Sequence, residues 1–192
     1  DYNLRQLGSG LIVVQGKPEV EIPKIVEQFK VQKVFAKTEV AFEEKQTEQL
    51  VRKALFKLRC ELETFSTSTL YHPDDLPFSL RTIPAGFNDF RRKTEFEATV
   101  RLAFEKPLTI VSPEIPDLKL PSLPDLGLQY LDIDERAVLR FKGGETEALK
   151  RLNYYFFETQ RLSVYKETRN GMVGGDYSSK FSPWLAMGSI SP

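Results

Sequence analysis

The stretch "DYSSKFSPWLAMGSISP" near the end of the 192-residue chain puts the hydroxyls of Ser178, Ser179 and Ser182 and the ammonium of Lys180 within five residues. Serine followed by proline, here Ser182-Pro183, is a strong helix start: serine serves as the N-cap and proline suits the first turn, where its missing N–H costs nothing. One reading is only that a helix begins here. The other is that the hydroxyls, the lysine and the free N–H groups of the helix end converge on a pyrophosphate, an anion that wants donors and positive charge.

Other residues invite chemistry and mostly admit plainer accounts. Glu39 follows an apolar run in "KTEVAFEEK". That places it at the carboxyl end of a parallel strand, where open α/β sheets bind ligands, but it equally suits the N-terminus of the next helix. His72, Asp74 and Asp75 surround Pro73 and read as turn chemistry before they read as a metal or acid-base cluster. Arg91, Arg92 and Lys93, followed by Glu95 and Glu97, describe a solvated helix face. Trp184 reads as an aromatic core residue on the helix after Ser182. Cys60, beside a strand, reads as buried and inert.

These side chains need elements to hold them. "LIVV" (Leu11 to Val14) is a short β-branched run and reads as a strand; "QGKP" then turns into a helix with Ile22, Ile25, Val26 and Phe29 on one face. Lys33 to Thr38 reads as a second strand. The helix after it carries Thr47, Leu50, Val51, Ala54, Leu55 and Leu58 at helical spacing, and "CELETF" supplies a third strand. Strands alternating with helices over short loops predict a parallel sheet with helices on its faces from Leu11 to about Glu63, an α/β fold. The polar loop from Ser66 to Pro84 interrupts the pattern, and a helix with Phe87 and Phe90 on one side follows. From Lys106 to Leu128 prolines cluster and predict an extended connector. Beyond it Leu149, Leu152 and Phe156 recur at helical spacing after Gly143-Gly144, so the chain is expected to be helical from about Glu145 onward.

Composition excludes several classes. Twenty-seven basic residues balance 27 acidic ones, so no global charge points to nucleic acid. A single cysteine and a single histidine exclude an internal disulfide and argue against a Cys/His zinc cluster. No apolar run approaches the roughly 18 residues of a membrane helix, and Asp1 opens without a signal-peptide core or a start methionine. The expectation is a soluble intracellular protein, in a bacterial cytoplasm or in an organelle or nucleus of a eukaryote.

Three stretches together, "STLYHPDDLPFSLRTIP", "FKGGETEALKRL" and "YKETRNGMVGGDYSSKFSPWLAMGSISP", resemble the photolyase and cryptochrome family, and within it the DASH cryptochromes. The resemblance implies an incomplete doubly wound, Rossmann-like sheet in an antenna domain over 1–104 whose first strands would precede Asp1. It further implies a connector over 105–140 and, over 141–192, the start of an FAD-binding helical domain whose greater part would follow Pro192. It makes Tyr165, Ser178, Ser179, Lys180, Phe181 and Ser182 contacts to the phosphates and sugar of FAD. Many photolyases have arginine where Lys180 stands, which keeps the sign of the charge and changes its geometry. Glu39 matches a glutamate that hydrogen-bonds the pterin of 5,10-methenyltetrahydrofolate, a light-gathering antenna, while the family's electron-transfer tryptophans fall outside this stretch and leave Trp184 without a redox role.

The implied activity is that of a deoxyribodipyrimidine photo-lyase: blue-light repair of cyclobutane pyrimidine dimers in single-stranded DNA by an electron from reduced FAD. A monomer that does not associate with membranes is expected, and this piece is expected to be inactive by itself. Two other readings stay open, a blue-light receptor that signals without repair and a truncated product serving only as an interaction module.

Overall fold

The computed structural model describes residues 1–116 and 120–192. It divides into two compact units, Asp1–Leu128 and Gln129–Pro192. Residues 117–119, in the middle of the predicted connector, lie outside the described residues.

In the first unit a short helix α1 (Tyr2–Gln6) is followed by α2 (Pro18–Phe29), β1 (Lys33–Lys37), α3 (Phe42–Lys57) and β2 (Glu61–Phe65). Pro18 opens α2 with the acidic Glu19 and Glu21 in its first turn, which suits the positive end of the helix; Lys30 closes it in the left-handed region. β1 and β2 run parallel in register from Lys33 opposite Glu61 to Lys37 opposite Phe65. The core is Val26 of α2, Val51 and Leu55 of α3, Cys60, and Leu62 of β2, with Ile22, Val31, Val34 and Leu58 packed around it. Arg52 fastens α3 to the sheet by donating from Nη1 to the Leu62 carbonyl at 2.7 Å.

Two expectations need correction here. Leu11–Val14 is not a strand: among the described residues the sheet is β1 and β2 alone, and Leu11, Val13 and Val14 are exposed. A β-branched run becomes a strand only beside a neighbouring strand that takes up its N–H and C=O groups; here the Leu11 N–H donates instead to the Asp1 carboxylate at 2.9 Å, and no strand among the described residues pairs with the run. The helices also cover only one face of the sheet, the one carrying Val34 and Leu62, while the tilted rings of Phe35 and Phe65 lie 6.0 Å apart on the exposed face. The proline-rich stretch is fastened at its start: Arg5 donates to the carbonyls of Ile115 and Pro116 at 3.0 and 3.1 Å, and the Ile110 N–H to that of Leu7 at 2.7 Å.

The polar loop is built around two 3-10 turns, Pro73–Asp75 and Leu80–Thr82, before α4 (Phe87–Glu97), whose Phe90 packs on Phe78 and Phe87. Turn chemistry governs His72, with roles changed: the imidazole Nδ1 accepts from the Asp74 N–H, and Asp75 pairs with Arg101. That pairing holds the Asp75 carboxyl below its usual range. Arg91, Arg92 and Lys93 are exposed and Cys60 is buried.

The second unit contains α5 (Glu145–Asn153), a π turn (Tyr154–Glu158), a 3-10 turn (Arg161–Val164), α6 (Tyr165–Thr168) and α7 (Ser182–Ala186). Gly144 precedes α5 at φ 95°, a left-handed conformation that favours glycine. The face buried by α5 and the π turn that continues it is Ala148, Arg151 and Tyr155, one step round from the expected Leu149, Leu152 and Phe156. The chain is also not helical throughout: Arg169 to Phe181 is irregular, and Phe181, not Ser182, occupies the N-cap of α7. Among the described residues no helix is long and apolar enough to cross a membrane.

Candidate functional site

The hydroxyl-rich segment sits in this irregular stretch, between α6 and α7. Its C-terminal end is anchored by packing. Trp184, buried in α7, donates from Nε1 to the Lys142 carbonyl at 2.8 Å and packs 5.1 Å from the ring of Phe141. Phe181 packs edge-on to Tyr155 at 6.0 Å and against Phe156 at 5.7 Å. Apolar side chains at Phe181 and Trp184 therefore fix the start of α7, and Trp184 is the core residue its sequence context suggests.

Ahead of these anchors the backbone is held from beneath. Arg151, 8% exposed, donates from Nε to the Ser179 carbonyl at 2.9 Å and from Nη2 to those of Gly175 at 2.6 Å and Ser178 at 3.3 Å. Its Nη1 reaches Asp176 at 3.5 Å, and its guanidinium lies over the rings of Tyr154 and Tyr155, 5.1 and 5.5 Å from their centroids. Asp176 also accepts from the Tyr154 hydroxyl at 3.1 Å and pairs with Arg161 at 3.3 Å. Two guanidinium groups, those of Arg151 and Arg161, thus face one carboxylate, and Lys180 adds a further positive charge four residues along the chain, an excess suited to an anion.

The side chains of the segment are used differently. Among the described residues the hydroxyls of Ser178, Ser179 and Ser182 and the Lys180 ammonium make no hydrogen bond or ion pair within the protein. Lys180 itself stands at φ 62°. Lys30 and Arg59 reach similar angles just past helix ends, where the left-handed region is common; Lys180 precedes a helix and has no such excuse. A strained residue of this kind costs about 1–3 kcal/mol and points to function. Tyr165, the first residue of α6, is 40% exposed and lies near enough to Tyr155 to raise that phenol further, on top of burial.

The structure thus brings five predicted residues, Ser178 to Ser182, onto one continuous segment, with Tyr165 in the same unit. Glu39 belongs to the other unit, two residues past the carboxyl end of β1, where its carboxylate pairs with Lys37 Nζ at 3.1 Å. Arg151 and Asp176 escape a reading by hydrophobic period. The available signal was phase: Arg151 shares a helix face with Ala148 three residues before it and Tyr155 four after it.

The DNA photolyase family model matches residues 1–110. The chain belongs to the DNA photolyase family. It is 46% identical over 190 residues to the cryptochrome DASH of Gloeobacter violaceus, an alignment covering 98% of this chain and 38% of that relative. A Synechocystis sp. PCC6803 cryptochrome superposes on all of this chain with a TM-score of 0.91 and 42% identity, through 40% of its own length. The archaeal photolyase of Sulfolobus tokodaii, solved with two FAD molecules, shares the fold at a TM-score of 0.61 and 22% identity over 39% of its length. This chain therefore spans about two fifths of the photolyases and cryptochromes it matches.

The donor set suits an FAD diphosphate: hydroxyl and ammonium donors without internal partners, on a backbone whose carbonyls point elsewhere. The five-residue α7 adds little dipole of its own, so the fit rests on side chains.

Proposed function

We propose that this chain is part of a blue-light flavoprotein of the DASH cryptochrome type, in which Ser178, Ser179, Lys180 and Ser182 bind the FAD diphosphate and Tyr165 and Phe181 border its sugar. The observation that carries the reading is the partner-free donor set on a segment whose carbonyls are tied inward. Residues 1–104 form the antenna domain, with Glu39 hydrogen-bonding 5,10-methenyltetrahydrofolate, residues 105–140 the connector, and residues 141–192 the start of the FAD-binding domain.

When bound, reduced flavin supplies a light-driven one-electron donor for cyclobutane pyrimidine dimers in single-stranded DNA. The residues here do not perform that electron step. Lys180 and the three serines neutralise and orient the diphosphate, which fixes the cofactor's position, and the Phe181–Tyr155–Phe156 cluster keeps water from beneath the segment.

The test is a repair assay with the full-length protein on single-stranded DNA bearing defined dimers. Light-dependent loss of dimers, abolished in the dark, is the expected result. A flavin that photoreduces while every dimer stays intact would instead assign the protein to signalling.

A further inference from the structure

Arg151 is a charged side chain in a place where hydrophobic residues are the rule. A buried guanidinium is retained only where its donors are satisfied, and removing its partners strands a charge. Here all its described bonds converge on one short stretch: the carbonyls of Gly175, Ser178 and Ser179 and the carboxylate of Asp176. The planar fork is what allows this. Its N–H groups diverge in a fixed plane and reach several acceptors at once, and the same plane lies against Tyr154 and Tyr155. The consequence concerns charge as well as shape. Carbonyl oxygens repel a diphosphate, and those of Gly175, Ser178 and Ser179 are bonded to a cation inside the unit.

We propose that Arg151, oriented by Asp176, is a positioning residue for the cofactor segment: it draws the Gly175, Ser178 and Ser179 carbonyls inward and so keeps the Ser178, Ser179 and Lys180 donors available to the FAD diphosphate. This rests on the FAD reading above and adds a residue that need not touch the cofactor.

The experiment uses the full-length protein and the variant Arg151→Lys, which keeps the charge and loses the fork. Two quantities are read: amide hydrogen exchange across 175–180 in the FAD-free protein, and FAD affinity from the fluorescence of free flavin. Exchange is expected to quicken at 175–180 ahead of the rest of the unit, and FAD affinity to fall about ten- to hundredfold, the worth of one or two charge-assisted hydrogen bonds. Ala148→Gly, at a buried position of the same helix, is the control for lost stability alone, and its FAD affinity is expected to match the parent's. Should Arg151→Lys fail to fold, Asp176→Asn tests the same clamp by removing the charge that orients the fork, with the same local rise in exchange expected.

Parental exchange at 175–180 together with parental FAD affinity in the folded variant overturns the proposal. So does a loss of affinity that Ala148→Gly reproduces at equal loss of stability. Ser178→Ala and Lys180→Ala separate the two readings. If both leave FAD affinity untouched, the diphosphate assignment fails, and the exchange data alone then decide whether Arg151 holds the segment.

Discussion

Tyr155 is 1% exposed, and its hydroxyl has no hydrogen-bond partner among the described residues. A buried hydroxyl left unpaired costs about 1–3 kcal/mol, so Tyr155→Phe, which keeps the ring against Phe181 and Arg151, is expected to stabilise the protein by about 1 kcal/mol in urea unfolding. Burial, and then the neighbouring Tyr165, push the phenol above its ordinary value of 10.0. The folded state therefore favours the protonated form, so this contribution is whole below pH 10 and is lost as pH rises above it. The phenylalanine variant should lack that alkaline loss. Glu39 makes a different prediction: Glu39→Ala is expected to weaken folate about ten- to hundredfold and to leave FAD in place, because the two sets of residues lie in separate units. Unchanged folate occupancy after purification would remove Glu39 from the antenna site. The proposed serines and Lys180 could be singled out in the sequence because hydroxyls and a cation crowded before Ser-Pro form a pattern of residue types, which by itself also describes a plain helix start and became a diphosphate site through the family resemblance. Arg151 could not be, because its role depends on where carbonyls distant in sequence point.

At the scale of elements, helical spacing located α2, α3 and α5 but did not fix which residues of α5 are buried. Hydrophobic periodicity weights Leu149, which is half exposed, and gives no weight to Arg151, which hydrogen bonds and aromatic faces bury. Leu11–Val14 failed for the complementary reason: strand propensity describes a side-chain surface, whereas a ladder needs a neighbour. Where both conditions hold, the pattern carried through. Val51 and Leu55 are buried together against Leu62, and Leu55 has no exposed surface at all. Leu55→Ala is accordingly expected to cost about 2–5 kcal/mol. The adjacent Phe56, 82% exposed, should change stability by no more than about 0.5 kcal/mol when replaced by alanine. Urea unfolding monitored by circular dichroism distinguishes them, and equal losses would mean that the α3–sheet core is misassigned.

At the scale of the molecule the question is what residues 1–192 do when expressed by themselves. They supply the proposed diphosphate donors, and they correspond to 38% of the Gloeobacter relative and 40% of the Synechocystis structure. Donors to a diphosphate are one part of holding a dinucleotide, and association costs at least several kcal/mol before any contact shows as affinity. The second unit also exposes Phe157, Met172, Val173 and Met187, each at 69% or more, apolar surface that favours self-association over a dilute monomer. Residues 1–192 alone are therefore expected to elute colourless from gel filtration, partly as aggregate, and to repair no dimers under blue light. The full-length protein with the same Ser178, Ser179, Lys180 and Ser182 should elute yellow. A visible absorbance spectrum of each peak decides the matter. Stoichiometric flavin on the 192-residue chain would show that the segment held by Arg151, with the aromatic cluster around Phe181, makes enough of the site to bind the cofactor without further chain.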